Sequence, residues 1–191
     1  MTGFITVGYF LFSLFFSLLT FLLWARIGLR FFRVSVLHPV AFSINSLTER
    51  VIRPIAQMIP AAKKRLSKYD WPCFILLVIV EFIKFIAIGF LFASGMLPLL
   101  LILLYVVADL IIQPCNLLFY AILIRVIMSW VNPLWQHPVA DILRIITEPL
   151  LRFGRKIVPD ISGFDFSPFI IMIILKVITL FISASLPLHL I

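Results

Sequence analysis

Uncharged apolar runs alternate along the chain with shorter, more polar segments. Residues 3–25 hold 23 positions without a charge, enough at about 1.5 Å per residue to cross a hydrocarbon core of about 30 Å. Comparable runs begin near Trp71, Pro98 and Phe166. The pattern therefore predicts an all-α integral membrane protein with four transmembrane helices, over about 3–30, 71–93, 98–130 and 166–186. The third covers 33 residues, roughly 50 Å of helix. It must tilt, protrude or bend, and Pro114 is where a bend would fall.

Between the first two spans, apolar residues recur at Val40, Ile44, Leu47, Val51, Ile55 and Ile59, the spacing of one helical face. Asn45, Ser46, Thr48, Glu49, Arg50, Arg53 and Gln57 occupy the other faces. That mixture is too polar to span and predicts an amphipathic segment lying in the interface over 38–60. Residues 137–159 repeat the stripe at Val139, Leu143, Ile146, Leu150, Ile157 and Val158, with Gly154 in place of Ile55. Pro149 favours a helix start just after Thr147-Glu148. Each segment is thus predicted as two short helices meeting at an angle, the second capped by Thr48-Glu49 or Thr147-Glu148.

The two copies are in register. His38-Pro39-Val40-Ala41 returns as His137-Pro138-Val139-Ala140, and at the same offset of 99 Arg26 meets Arg125, Thr48-Glu49 meets Thr147-Glu148, Arg53 meets Arg152 and Pro60 meets Pro159. These are nine identities in 35 positions, where chance gives roughly two or three. The chain divides into a first repeat over 1–95 and a second over 96–191, each ordered span, surface segment, span.

Hydrophobic residues make up 63% of the chain and charged ones 13%, with a mean hydropathy of +1.20, outside the soluble globular range. The net charge of +8 matters through its placement. Seven Lys or Arg fall in 31–69 and four in 131–164, but none around Gly95 or at either end. By the positive-inside rule both surface segments are cytoplasmic, both termini lie outside, and the repeats run parallel. The run Lys63, Lys64, Arg65, Lys68 has no interleaved aromatics before Tyr69 and reads as a loop beside anionic headgroups rather than a nucleic-acid patch. Positive charge follows the first span instead of preceding it, which makes that span an anchor and not a signal peptide.

Four charges lie deep in the spans. Glu81, Lys176 and Asp109 each stand 11 residues beyond a span start, roughly 16 Å in, and Lys84 shares the face of Glu81. Either these groups neutralise one another and hold the helices together, or Asp109, beside Gln113 and Pro114, binds or relays a cation. Phe10 takes the place of Asp109 in the first repeat, which argues against a symmetric site. Arg26 and Arg125 stand at cytoplasmic span ends, where arginines snorkel to phosphates. Asp70 and Asp165 open spans in a repeated Asp-aromatic-Pro or Asp-aromatic-Ser-Pro start. His38 and His137 precede prolines and lack the partners a haem or metal ligand needs. Cys73 and Cys115 have neither metal-ligand nor disulfide spacing. With no Walker loop, paired zinc ligands or nucleophile elbow, no metal, cofactor or enzymatic activity is expected.

The succession Thr147-Glu148-Pro149-Leu150-Leu151-Arg152, Ile157-Val158-Pro159 and Phe164-Asp165-Phe166-Ser167-Pro168 resembles the bacterial YggT family, also called YlmG, over nearly the whole chain. The first copy is weaker, departing at Arg50 and at Trp71-Pro72. The resemblance implies a small inner-membrane protein without an established reaction. Plastid relatives are linked to assembly of a membrane cytochrome and to nucleoid organisation, bacterial ones to cell-division gene neighbourhoods and osmotic tolerance.

The expectation is a non-enzymatic scaffold or assembly factor of the bacterial inner membrane. Its cytoplasmic segments would contact phospholipid and a membrane or cytoplasmic protein through Arg26, His38, Pro39, Thr48, Glu49, Arg53, Arg125, His137, Pro138, Thr147, Glu148, Pro149, Arg152, Asp165, Ser167 and Pro168. Direct nucleic-acid binding is not expected. The alternative is a small cation or osmolyte pathway using Glu81, Lys84, Asp109 and Lys176. It would call for a homo-oligomer, since four spans leave little room for a pore.

Overall fold

The computed structural model describes residues 2–58, 69–92, 98–131, 137–157 and 165–187. Among them the chain forms six α-helices and no strand: α1 (Thr2–Phe31), α2 (Pro39–Met58), α3 (Trp71–Phe92), α4 (Leu99–Val131), α5 (Pro138–Ile157) and α6 (Ser167–Ala184). Segments of α1, α3, α4 and α6 are long and apolar enough to cross a membrane, which marks a multi-pass membrane protein. A helix satisfies its own backbone hydrogen bonds, so such segments need no water. Their outward faces carry large apolar residues, among them Phe10, Phe15, Phe90 and Phe181, as lipid requires. α1 stops where Arg33 takes φ 55° and the Val34 N–H returns to the Leu29 carbonyl at 2.9 Å, a left-handed closure that ends the helix.

α1 packs along α3 and α4 along α6, and α3 meets α4 between the pairs. The core divides accordingly. Leu23, Ile52, Leu76, Leu77 and Val80 join α1, α2 and α3, while Ile122, Leu151, Ile171, Met172 and Leu175 join α4, α5 and α6. The second set is the first displaced by 99 residues on the initial span and surface helix and by 95 on the closing span. Not one of the five pairs is an identity. Apolar volume at matching places, rather than residue type, preserves this packing.

Two expectations change. α2 and α5 are each one continuous helix of 20 residues with Pro54 and Pro149 inside them, not two short helices meeting at an angle. Both prolines stand on exposed faces, so the carbonyls they deprive of a partner face the surroundings and the buried face packs on uninterrupted. α4 is one helix of 33 residues with Pro114 inside it. In α2, moreover, it is Ala41, Thr48 and Ile52 that are buried against the spans, while Leu47 and Val51 of the expected stripe face outward. Val139 and Ile157 are exposed in α5. Ile59, Pro60, Val158, Pro159, the basic run at 63–68 and the turn around Gly95 lie outside the described residues.

Candidate functional site: a twice-built arginine clamp

Arg26 leaves the end of the first uncharged run and turns inward onto α2. Its NH1 donates to Thr48 Oγ1 at 2.9 Å and to the Asn45 carbonyl at 3.4 Å, its NH2 to Glu49 Oε2 at 3.0 Å, and its Nε to Asp70 Oδ2 at 3.1 Å. Arg30, one turn on, reaches the same Asp70 oxygen at 3.1 Å. The side chains of Arg26 and Asp70 are 11% and 3% exposed, so this pair is screened from water and binds the ends of α1 and α3 to α2. Snorkelling to lipid is thereby overturned for Arg26, because protein oxygens take up its guanidinium. The cap roles are overturned too. Thr48 Oγ1 donates to the Ile44 carbonyl at 2.7 Å inside a continuous helix, and the Asp70 carboxylate serves two arginines.

Arg125 repeats the arrangement on α4 and α5. NH1 donates to Thr147 Oγ1 and NH2 to Glu148 Oε2, both at 2.8 Å, and Thr147 Oγ1 donates to the Leu143 carbonyl at 2.6 Å. Snorkelling and capping fail here for the same reasons. The second site then departs from the first. Arg155, which stands where the first repeat has Ala56, bridges Glu148 Oε1 at 2.6 Å and Asp165 Oδ2 at 3.1 Å. Asp165 Oδ1 accepts the Ser167 N–H at 2.9 Å just ahead of α6, whose N-cap residue is Phe166. The hydrogen bond from Arg125 keeps Glu148 below the ordinary carboxylate value against its partial burial, and Arg155 and Arg152 add to that. Partial burial would raise Asp165, but Ser167 and Arg155 outweigh it and hold this carboxyl low.

Of the remaining motif residues, Pro39 and Pro138 open α2 and α5, and His137 Nδ1 accepts the Val139 N–H at 3.2 Å. The His38 carbonyl accepts the Phe42 N–H at 2.8 Å. Arg53 is exposed, and Arg152 lies 3.7 Å from Glu148 Oε1 while remaining 72% exposed. Ser167 and Pro168 are buried where α6 starts. Gly154 faces them. A Cβ built there would stand 2.9 Å from Ser167 Cβ, 3.0 Å from Ile171 Cγ1 and 3.3 Å from the Ser167 carbonyl oxygen, which explains why the second copy gives up the isoleucine of the first.

The deep charges form a separate cluster. Lys84 on α3 pairs with Asp109 on α4 and lies 3.4 Å from Glu81 Oε2, and its ammonium sits 4.8 Å from the centre of the Phe85 ring. Gln113 Nε2 donates to Asp109 Oδ1 at 3.2 Å. Lys176 is not among them: it stands on the exposed side of α6. Counting along a helix had set its depth, but Ile171, Met172, Leu175 and Thr179 set the buried face, and Lys176 falls off it. Among the described residues no group of His, Cys, Asp and Glu could hold a metal ion, and Cys73 and Cys115 are free thiols.

Sequence reasoning missed Arg30, Asp70 and Arg155 as clamp members. The available signal was the Asp that opens both closing spans, read from the sequence as a helix start and not as a partner for arginine.

Similarity to known proteins follows the same division. The CCB3/YggT family profile matches twice, over residues 5–91 and 98–186. The Escherichia coli K12 protein named "Uncharacterized protein YggT" is 31% identical over 176 residues, 90% of this chain and 86% of that one. An uncharacterised Pseudomonas aeruginosa protein is 27% identical over 174 residues (89% and 85%), and one from the proC 3′ region of Vibrio alginolyticus 28% over 165 (86% of each). No solved structure matches the chain. With both halves matched by the profile and a relative above 30% identity along most of its length, the chain belongs to the CCB3/YggT family.

Proposed function

We propose that the protein is a non-enzymatic scaffold or assembly factor of the bacterial inner membrane, in which two parallel repeats hold amphipathic helices α2 and α5 on the cytoplasmic surface. The observation that carries this reading is the clamp built twice: Arg26 on Thr48 and Glu49, Arg125 on Thr147 and Glu148. A residue held by two or three oxygens of the same protein is fixed and not free to react, so the clamp serves to orient a helix. What it presents outward is apolar and basic together. Phe42, Leu47 and Val51 on α2 and Phe153 on α5 are exposed, beside exposed Arg50, Arg53, Arg144 and Arg152, a mixture that suits headgroups and a protein partner at the same surface. The test is complementation of a deletion strain under osmotic upshift. Alanine at Thr147, Glu148 and Arg152 together should lose function while the protein remains folded in the membrane, and full complementation would overturn the reading.

A second reading, a cation pathway, draws on one observation: Glu81 Oε1 is buried without a hydrogen-bond partner among the described residues. Two carboxylates face one ammonium there. Potassium flux into proteoliposomes that vanishes with Asp109→Asn would support it, and an absence of flux from folded protein would remove it.

A further inference from the structure

Besides Arg155 in place of Ala56, the two clamps differ at a second position, and a cavity lies beside it. In the first, Arg26 and Arg30 meet Glu49 and Asp70, two positive against two negative groups, and Arg26 spends its Nε on Asp70. In the second, Arg125, Arg152 and Arg155 meet Glu148 and Asp165, three against two. Position 129, the counterpart of Arg30, is Ser. Without that long side chain a space of about 340 Å³ opens, lined among the described residues by Arg125, Ser129, Trp130, Leu151, Asp165 and Phe169, with Val126 and Pro168. Among the described residues Arg125 Nε, the counterpart of the Arg26 Nε that holds Asp70 in the first repeat, has no partner, and Arg125 is one of the residues lining the space.

We infer that this cavity binds the headgroup of an anionic phospholipid of the phosphatidylglycerol type. A phosphodiester carries one negative charge, which matches the surplus of one positive charge, and its oxygens accept the N–H that Arg125 has left. The headgroup hydroxyls donate to Asp165 and to Ser129 across the space. Trp130, 73% exposed at the end of α4, and Phe169 flank the mouth, as aromatic side chains do at headgroup level, so acyl chains continue beside α4 and α6. In the first repeat Arg30 stands at the position of Ser129 and pairs with Asp70 at 3.1 Å, so the Asp70 carboxylate is already met by two arginines. The inference rests on the surface placement of α5 proposed above, but not on a scaffolding role.

The test uses native mass spectrometry of the purified full chain in detergent, titrated with phosphatidylglycerol, phosphatidylcholine or glycerol 1-phosphate. The wild type retains one phosphatidylglycerol in preference to phosphatidylcholine. Ser129→Arg restores the side chain of the first repeat, fills the cavity and abolishes that preference while leaving the Arg125 clamp in place. Arg125→Gln weakens retention about tenfold, the effect of one hydrogen bond to a charged group. Equal retention of the two lipids by the wild type, or undiminished phosphatidylglycerol retention by Ser129→Arg, overturns the inference. Displacement by an equal concentration of glycerol 1-phosphate overturns the assignment to lipid. Complementation by Ser129→Arg separates the two claims, since it fails only if the lipid itself is needed and succeeds where the clamp alone suffices.

Discussion

Arg26 and Arg125 exchange the phosphates available to any arginine at a membrane surface for a threonine and a glutamate of their own chain. Glu148, the partner of Arg125, has its carboxyl held below the ordinary 4.5. A depressed folded value means that the stabilisation is complete above about pH 4.5 and is lost as pH falls through the lower folded value. The melting temperature in detergent should therefore fall as pH drops below about 4.5, and Glu148→Gln should flatten that fall. An unchanged profile in the variant would remove Glu148 as its source. The deep cluster makes a different residue-level prediction. Removing Lys84 leaves two buried carboxylates facing each other, so Lys84→Met should cost about 3–5 kcal/mol. Glu81→Gln leaves one of each sign and should cost clearly less. Equal losses would show that the cluster is not balanced around Lys84. The identities at Arg26/Arg125 and Thr48/Thr147 were readable as a set from the sequence, yet what they touch was not, since spacing gives the order of residues along a helix and not the direction in which a long flexible side chain folds.

At the scale of elements, the spans were readable because a run of apolar residues without charge has few fates other than a membrane helix. The surface helices were harder. Pro54 and Pro149 argue for a break when only local propensity is considered, but each lies on an exposed face, and burial of Ile52 or Leu151 on the other face continues across it. The hydrophobic stripe of α2 misled for a related reason: with apolar neighbours available on both the protein and the lipid side, an apolar residue no longer marks the inward face. The buried threonine marks it better. Gly154 gives the test at this scale, since the approach of α5 to the start of α6 leaves no room for a Cβ. Gly154→Ala should destabilise by about 1–3 kcal/mol, as overpacking does, measured by thermal unfolding in detergent. A neutral substitution would mean that α5 and α6 can separate without loss.

For the molecule as a whole, the matched contacts at Leu23 and Ile122, Ile52 and Leu151, and Val80 and Leu175 support two copies of one three-helix unit. The departures carry the asymmetry: Arg30 becomes Ser129, Ala56 becomes Arg155, and the buried cluster of Glu81, Lys84 and Asp109 joins α3 to α4. The account requires α2 and α5 to lie on the same, cytoplasmic, side. Single cysteines at the exposed positions Ser43 and Arg144, in a chain lacking Cys73 and Cys115, test this through labelling of intact cells with a membrane-impermeant maleimide. Both should be protected until the inner membrane is permeabilised, and a cysteine at Ser94 should react from outside. Labelling of either Ser43→Cys or Arg144→Cys in intact cells would contradict the account.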